Sequence, residues 1–273
     1  VLSAILIPEM RAADFISSPS VNVPQARVVT VSDSQATEAF SPRPQVLHAM
    51  LDRAITTFTG QSDAAAAWKT LVNTQDVVGI KVVSMPGATA GTRPAVVSAI
   101  IQALLAADIS CSNILIWDRR LVDLHSAGYD ELVKQFGVRL AGSMDAGYDD
   151  KVYYESPLLG TLTAGDLEFN PSEDAMGRKS HITKLLSRQV TKIINVSPLL
   201  NNYAVGVAGN LYSLAMGSVD NSRRFESSTD ALARAVPEIY ALPALSDHVV
   251  LNITDALICQ FEGGQTVRLH DAA

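Results

Sequence analysis

The chain has 273 residues, 48% of them hydrophobic and only 18% charged. That balance, with charge below the ~25% of typical soluble domains, excludes an intrinsically disordered chain and supplies the apolar side chains for a full core. Twenty-one Lys and Arg stand against 28 Asp and Glu, a net charge of −7, which excludes a general nucleic-acid binder, and two cysteines, Cys111 and Cys259, are too few for a disulfide scaffold or a four-cysteine metal site.

Val1 to Pro8 is apolar, far shorter than the ~18 residues of a membrane span, and has no basic region before it. Two readings stay open for it: the remnant of a processed export signal, or a short buried strand. No stretch of the chain is long and apolar enough for a span. Ala26 to Val31 is β-branched from Val28 onward and reads as a first strand. Residues 44–59 carry Val46, Leu47, Met50, Leu51, Ile55 and Phe58 at helical spacing behind Pro44. Ala64 to Leu71 reads as a second, short helix.

Asp76 to Val83 is apolar apart from Lys81 and its first residue, the pattern of a strand covered on both faces. A loop, Ser84 to Gly91, follows, with Pro86, Gly87 and Gly91. Thr92 reads as the N-cap of a helix that has Pro94 in its first turn and one stripe made by Val96, Val97, Ile100, Ile101, Leu104 and Leu105. Asn113 to Trp117 is the next buried strand and ends at Asp118. Strand, loop, helix and strand make a βαβ unit, so residues 77–83 and 113–117 should lie parallel, with helix 93–107 on one face. Leu121 to Phe136 is helical in parts, interrupted by Gly128.

The pattern weakens over 140–180, where Lys151 to Glu155 reads as an edge strand and Asp145, Asp149 and Asp150 as a solvated loop. Thr191 to Val196 reads as a strand, Ala204 to Met216 as a helix of small residues, Asp230 to Leu242 as a helix and His248 to Ile253 as a strand before a Gly263-Gly264 turn. Strands alternating with helices predict an α/β fold with a mostly parallel sheet flanked by helices.

Three stretches, in order, resemble the DUF362 family of uncharacterised proteins. The first runs from Val78-Gly79-Ile80-Lys81-Val82 through Thr92-Arg93-Pro94 to Ile116-Trp117-Asp118-Arg119 and Ala127-Gly128-Tyr129. The second joins Ile193-Ile194-Asn195-Val196 to Ala208-Gly209-Asn210-Leu211-Tyr212 and Gly217-Ser218. The third is Leu251 to Leu257 with Gln260-Phe261-Glu262-Gly263-Gly264. The resemblance implies a single α/β domain over 27–273, distantly similar to lactate-racemase N-terminal domains, behind an N-terminal extension, 1–26. It implies export to the periplasm or cell envelope by the twin-arginine route, with a cytoplasmic location left open, and no established reaction. Several polar positions of the family are altered: Val83 stands where relatives carry Asn, and Arg93 where they carry His. Relatives continue past the position of Ala273 with another strand and helix.

In an open parallel sheet, ligands bind outside the carboxyl ends of the strands. The residues expected there are Lys81, Asp118 and Asp255 as catalytic candidates, and Gly87, Gly91, Thr92, Arg93, Arg119 and Asn210 as ligand-binding candidates. A glycine loop entering a helix presents backbone N–H groups to an anion, and Arg93 would add a planar fork for phosphate or carboxylate. The competing reading is a plain connection with a solvated Arg93. Lys81 in an apolar strand must pair or lose its proton: it reads as the partner of Asp118 or Asp255, or as a catalytic amine. Asp118 reads as a base, a ligand or the cap of the following helix, and Arg120 as a solvated side chain. No two of the five histidines have metal-ligand spacing, so no metal site is expected, and no cofactor can be named. Asn195 and Asn252 read as buried structural residues.

Two functions follow as expectations. The first is binding of a small anionic ligand or cofactor at the carboxyl edge of the sheet, as a redox- or isomerase-type enzyme or as a plain binding protein. The alternative is a non-catalytic structural or assembly subunit, with a protein partner or a second copy of the chain covering an open sheet edge.

Overall fold

The computed structural model describes residues 26–172, 175–202 and 204–260. Residues 26–33 pair with no strand among the described residues and are mostly exposed, so the β-branched run at Val28 does not form the expected strand there. Propensity alone does not make a strand when no neighbour takes up its backbone hydrogen bonds. Short strands β1 (Thr37–Glu38) and β2 (Ser41–Pro42) pair antiparallel and lead into α1 (Pro44–Thr59), which starts at the predicted proline. The Asp63 carboxylate accepts from Ala66 N–H and so caps α2 (Ala64–Lys69).

The βαβ unit is β3 (Val78–Lys81), a one-turn α3 (Gly87–Ala90), α4 (Pro94–Ala106) and β4 (Ile114–Asp118). As expected, β3 and β4 are parallel neighbours. Gly128 divides the next helical stretch into α5 (Leu121–Ser126) and α6 (Asp130–Phe136), and β5 (Arg139–Gly142) follows. After α7 (Ser143–Ala146) comes a long antiparallel hairpin, β6 (Tyr148–Thr161) with β7 (Met176–Thr183), where a single edge strand over 151–155 was expected. Then come α8 (Lys184–Arg188) and β8 (Lys192–Asn202). The predicted helix over 204–216 is instead β9 (Gly206–Ala208) and α9 (Asn210–Ser218). Helices α10 (Arg223–Glu226), α11 (Thr229–Tyr240) and α12 (Pro243–Ser246) precede β10 (Val249–Gln260), which runs well past the expected end at Ile253. The Gly263-Gly264 turn lies outside the described residues.

The central sheet has the order β10-β8-β3-β4-β5, all parallel, with β9 added antiparallel to β8. Alternation along the strands divides the core. Ile80, Ile114, Ile116 and Ile194 pack with Trp68, Ile100, Leu104 and Tyr129 on the face covered by α1, α2, α4 and α6. Leu115, Trp117 and Ile193 pack with Leu214, Phe225, Leu232 and Ile239 on the face covered by α9 and α11. Each large buried side chain contributes about 1.5–3 kcal/mol. Cys111 is half-buried and Cys259 exposed, and both are free thiols.

The loop between β3 and α4 is drawn tight at Gly91, where a Cβ would run into the Val83 carbonyl and stand 2.6 Å from the Gly87 carbonyl oxygen. Both obstacles are backbone, so neither can rotate away. Gly91→Ala should therefore destabilise the fold by about 1–3 kcal/mol, seen in urea unfolding as a lower midpoint with an unchanged slope.

Candidate functional site

The register of the sheet lines up a polar row near its carboxyl end. Lys81 lies beside Trp117 on one side and Asn195 on the other, and Asn195 lies beside Asn252. Lys81 is 1% exposed. Its ammonium donates to Asp118 Oδ1 at 2.8 Å and to the Val82 carbonyl at 2.6 Å, and it lies 5.5 Å from the Trp117 ring centroid. The other Asp118 oxygen accepts from both the backbone N–H and the hydroxyl of Ser84, each at 2.7 Å. Burial alone would raise the Asp118 carboxyl, but the Lys81 charge and the Lys81 and Ser84 hydrogen bonds outweigh it and hold it below its ordinary value of 3.8. Asp118 thus partners the buried lysine and does not cap α5, whose first residue is preceded by Arg120.

Helix α9 lies directly over this pair. A Cβ on Gly217 would stand 2.5 Å from Lys81 Cε and 2.9 Å from Nζ, so glycine there is what lets the helix close on the lysine. Asn195 Nδ2 donates to the Asn210 carbonyl and to Asn252 Oδ1, both at 2.8 Å, and Asn210 Nδ2 donates to Thr254 Oγ1 at 2.9 Å. Asn195 is fully buried, whereas Asn252, expected to be buried, is exposed on β10. The pleat alternates, and on β10 the Asn252 side is less covered than the Leu251 side.

Thr92 is not a cap: Arg93 holds that position, without a side-chain cap bond. The Thr92 hydroxyl donates to the Val196 carbonyl at 2.7 Å and accepts from Val83 N–H at 2.9 Å, tying β3 to β8 beyond their paired residues. Tyr129 donates to the Thr92 carbonyl at 2.7 Å. Burial, followed by the charges of Asp118 and Asp255, pushes the Tyr129 hydroxyl well up.

Arg93 is 3% exposed. Its Nη1 lies 2.7 Å from Asp255 Oδ1 as an ion pair without hydrogen-bond alignment, and its Nη2 donates to the carbonyls of Ile258 at 2.8 Å and Thr89 at 3.3 Å. Asp255 Oδ2 also accepts from Arg93 N–H at 3.3 Å. An anion therefore does sit at the amino end of α4 within reach of the Arg93 fork, and it is the chain's own Asp255. Gly87, with φ of 80°, and Gly91 shape this loop.

Arg119 differs from these cations. Lys81 is paired with Asp118, Arg93 with Asp255, and Arg120 with Asp123 at 2.9 Å. Among the described residues no carboxylate pairs with Arg119; its Nη1 donates to the Ser222 hydroxyl at 2.5 Å. Arg119 is half-buried, so solvent reaches it. Two tyrosines feel its charge. Burial raises the Tyr148 hydroxyl, with Arg119 acting downward and Asp220 upward, and burial likewise raises Tyr212 against Arg119. The Tyr148 hydroxyl is buried and has no hydrogen-bond partner among the described residues.

Ser222 belongs to the loop 219–222 after α9, and Asp220 of the same loop holds His181 of β7. His181 Nδ1 lies 3.2 Å from Asp220 Oδ2, and that oxygen also accepts from Leu167 N–H at 2.8 Å. Sequence reading gave no site role to Tyr148, His181 or Ser222, which the hairpin and the loop after α9 contribute. It also placed Asp149 in a solvated loop. Asp149 is buried, accepts from Lys151 N–H, Ser187 and Arg188, and is held down at about 2 by those bonds in that order.

No family model matches the chain, and no curated protein matches it in sequence.

The Lys81–Asp118 pair gives a stability test. Asp118→Asn strands a buried ammonium and should cost about 3–5 kcal/mol, whereas replacing both residues with apolar side chains of similar size should cost far less. The native carboxyl lies below its unfolded value, so its stabilisation is complete above the ordinary carboxylate range and is lost as pH falls through the native value. Urea midpoints of the wild type should accordingly fall on acidification below about pH 4, and Asp118→Asn should lose that part of the dependence.

Proposed function

We propose that this protein binds a small anionic ligand, a carboxylate or phosphate, at the carboxyl end of its parallel sheet, with Arg119 as the anchor. One observation carries the reading: of the basic residues at the ends of β3 and β4 and at the start of α4, Arg119 alone has no carboxylate partner among the described residues. A planar guanidinium with free N–H groups suits a carboxylate or phosphate. The Ser222 hydroxyl, which accepts from Arg119, is a neutral polar group beside it. Lys81, Asp118, Arg93 and Asp255 then serve as the internally neutralised floor of the site. The resemblance to DUF362 proteins, and through them to lactate-racemase N-terminal domains, belongs to this proposal and implies no established reaction. Export rests on that resemblance alone.

A second reading, a subunit of a larger assembly, has one observation in its favour. β10 is the last strand in the sheet order, and a groove of about 740 Å³ runs along it, lined by residues 27–33, apolar residues of α1 and Leu251 to Leu257.

Calorimetric titration with inorganic phosphate and with small carboxylates separates the two. Arg119→Gln should weaken binding about ten- to a hundredfold, the worth of one charge-assisted contact. Arg120→Gln, whose partner Asp123 is on the surface, should change it less than about threefold. Absence of binding by the folded wild type would transfer the weight to the assembly reading.

A further inference from the structure

We infer that residues 27–33 form a gate on the apolar groove beside β10, latched shut by Arg27 and released by salt. The inference is independent of the anion reading. The groove holds about 740 Å³, within the range of small-molecule sites, and every residue from Arg27 to Asp33 lines it. Its α1 wall is apolar, made by Leu47, Met50, Leu51, Ala54, Ile55 and Phe58. Met50, Leu51, Ala54 and Phe58 are only half-buried, so they are apolar surface that the groove shelters. The segment 27–33 belongs to no helix or strand. It nevertheless has two faces: Val29 and Val31 are half-buried, whereas Thr30 is exposed and Val28 is 83% exposed. Its apolar side chains thus alternate between the protein and the solvent, as in a cover laid on a surface.

The two ends of the segment are held in different ways. At Asp33 the chain turns: Ala36 N–H donates to the Asp33 carbonyl at 3.1 Å and Gln35 N–H to Asp33 Oδ1 at 2.8 Å. Arg43 N–H donates to the Ala36 carbonyl at 2.8 Å and ties this turn to the start of α1. These bonds lie within the turn and its root, so they persist when the segment swings, and the turn serves as the hinge. At the other end the hold is a single side chain. Arg27 Nη1 donates to the Phe58 carbonyl at 2.7 Å and Nη2 to the Thr57 carbonyl at 2.8 Å. Both carbonyls belong to the last turn of α1, where the helix leaves acceptors without an internal donor and its dipole is negative. A cation is favoured there, and its attraction is weakened by salt. Because both bonds come from one exposed guanidinium, losing it releases the whole end. Swinging 27–33 about the turn then uncovers Met50 and Phe58.

The test places a thiol in the groove with Met50→Cys and labels it with N-ethylmaleimide, which is uncharged. Peptide mass spectrometry reads the rate at position 50, with the exposed Cys259 as internal reference. Adding Arg27→Gln should speed labelling at position 50 about three- to tenfold and leave Cys259 unchanged. Raising sodium chloride from about 20 mM to about 500 mM should speed it about two- to fivefold while Arg27 is present and leave the Arg27→Gln background unchanged. Equal rates with and without Arg27, or the same salt response in both, overturn the latch. A second measurement uses the unaltered chain. Trypsin cuts after Arg27 only when that side chain has left the α1 carbonyls. Cleavage there should rise about two- to fivefold over the same salt range, relative to a small peptide substrate of the protease. A cleavage rate that does not change with salt also overturns the inference.

Discussion

A charge that enters the end of a parallel sheet has to be neutralised there, because water cannot follow it. Lys81 imposes this demand in the middle strand, where both neighbours are strands and a helix closes overhead. Asp118, one strand away, answers it with one oxygen and uses the other to fix Ser84 at the start of the next loop. Arg93 and Asp255 repeat the arrangement at the start of α4, joining the β3–α4 loop to the far strand β10. Together the two pairs tie β3, β4, α4 and β10 into one frame.

That frame decides which groups remain for chemistry. With Asp255 at the amino end of α4, the loop that would ordinarily receive an anion holds one already, although Arg93 Nε and Nη1 make no hydrogen bond among the described residues. Arg119 follows Asp118 directly but turns toward the loop after α9, where it meets a hydroxyl. The hairpin β6–β7 and that loop supply the remaining polar groups, so the proposed site lies where the central sheet meets the hairpin. The small side chain of Gly217 contributes indirectly: by letting α9 lie on Lys81, it fixes where the loop 219–222 begins.

Much of the frame was legible in the sequence. The stripe from Val96 to Leu105 and the runs 78–82 and 114–117 allow one arrangement, a βαβ unit, because each is apolar with a single period. The pairing of Lys81 was also readable, since a lone lysine in a buried strand needs a partner. Its choice of Asp118 over Asp255 was not, because the sequence puts both at strand ends and only the sheet order separates them. The pair Arg93 and Asp255 is 162 residues apart, and no local pattern encodes such a contact. The hairpin was hidden for a different reason. Over Tyr148 to Thr161 exposure does not alternate cleanly, and Pro157 and Gly160 interrupt the run, so it lacks the period of a half-buried strand. His181 therefore looked like an isolated polar residue. The helix expected over 204–216 was displaced because Gly206, with φ of 76°, opens β9 and Gly209 is the cap of α9.

The central claim is that internal carboxylates neutralise Lys81 and Arg93 while Arg119 stays available. Side-chain NMR of 15N-labelled arginine and lysine during a phosphate titration tests it directly. The account predicts that the Arg119 resonance shifts in proportion to bound phosphate. Those of Arg93 and Lys81 should stay unmoved and slow to exchange with water, as buried ion pairs require. A phosphate-dependent shift at Arg93 with none at Arg119 would contradict it.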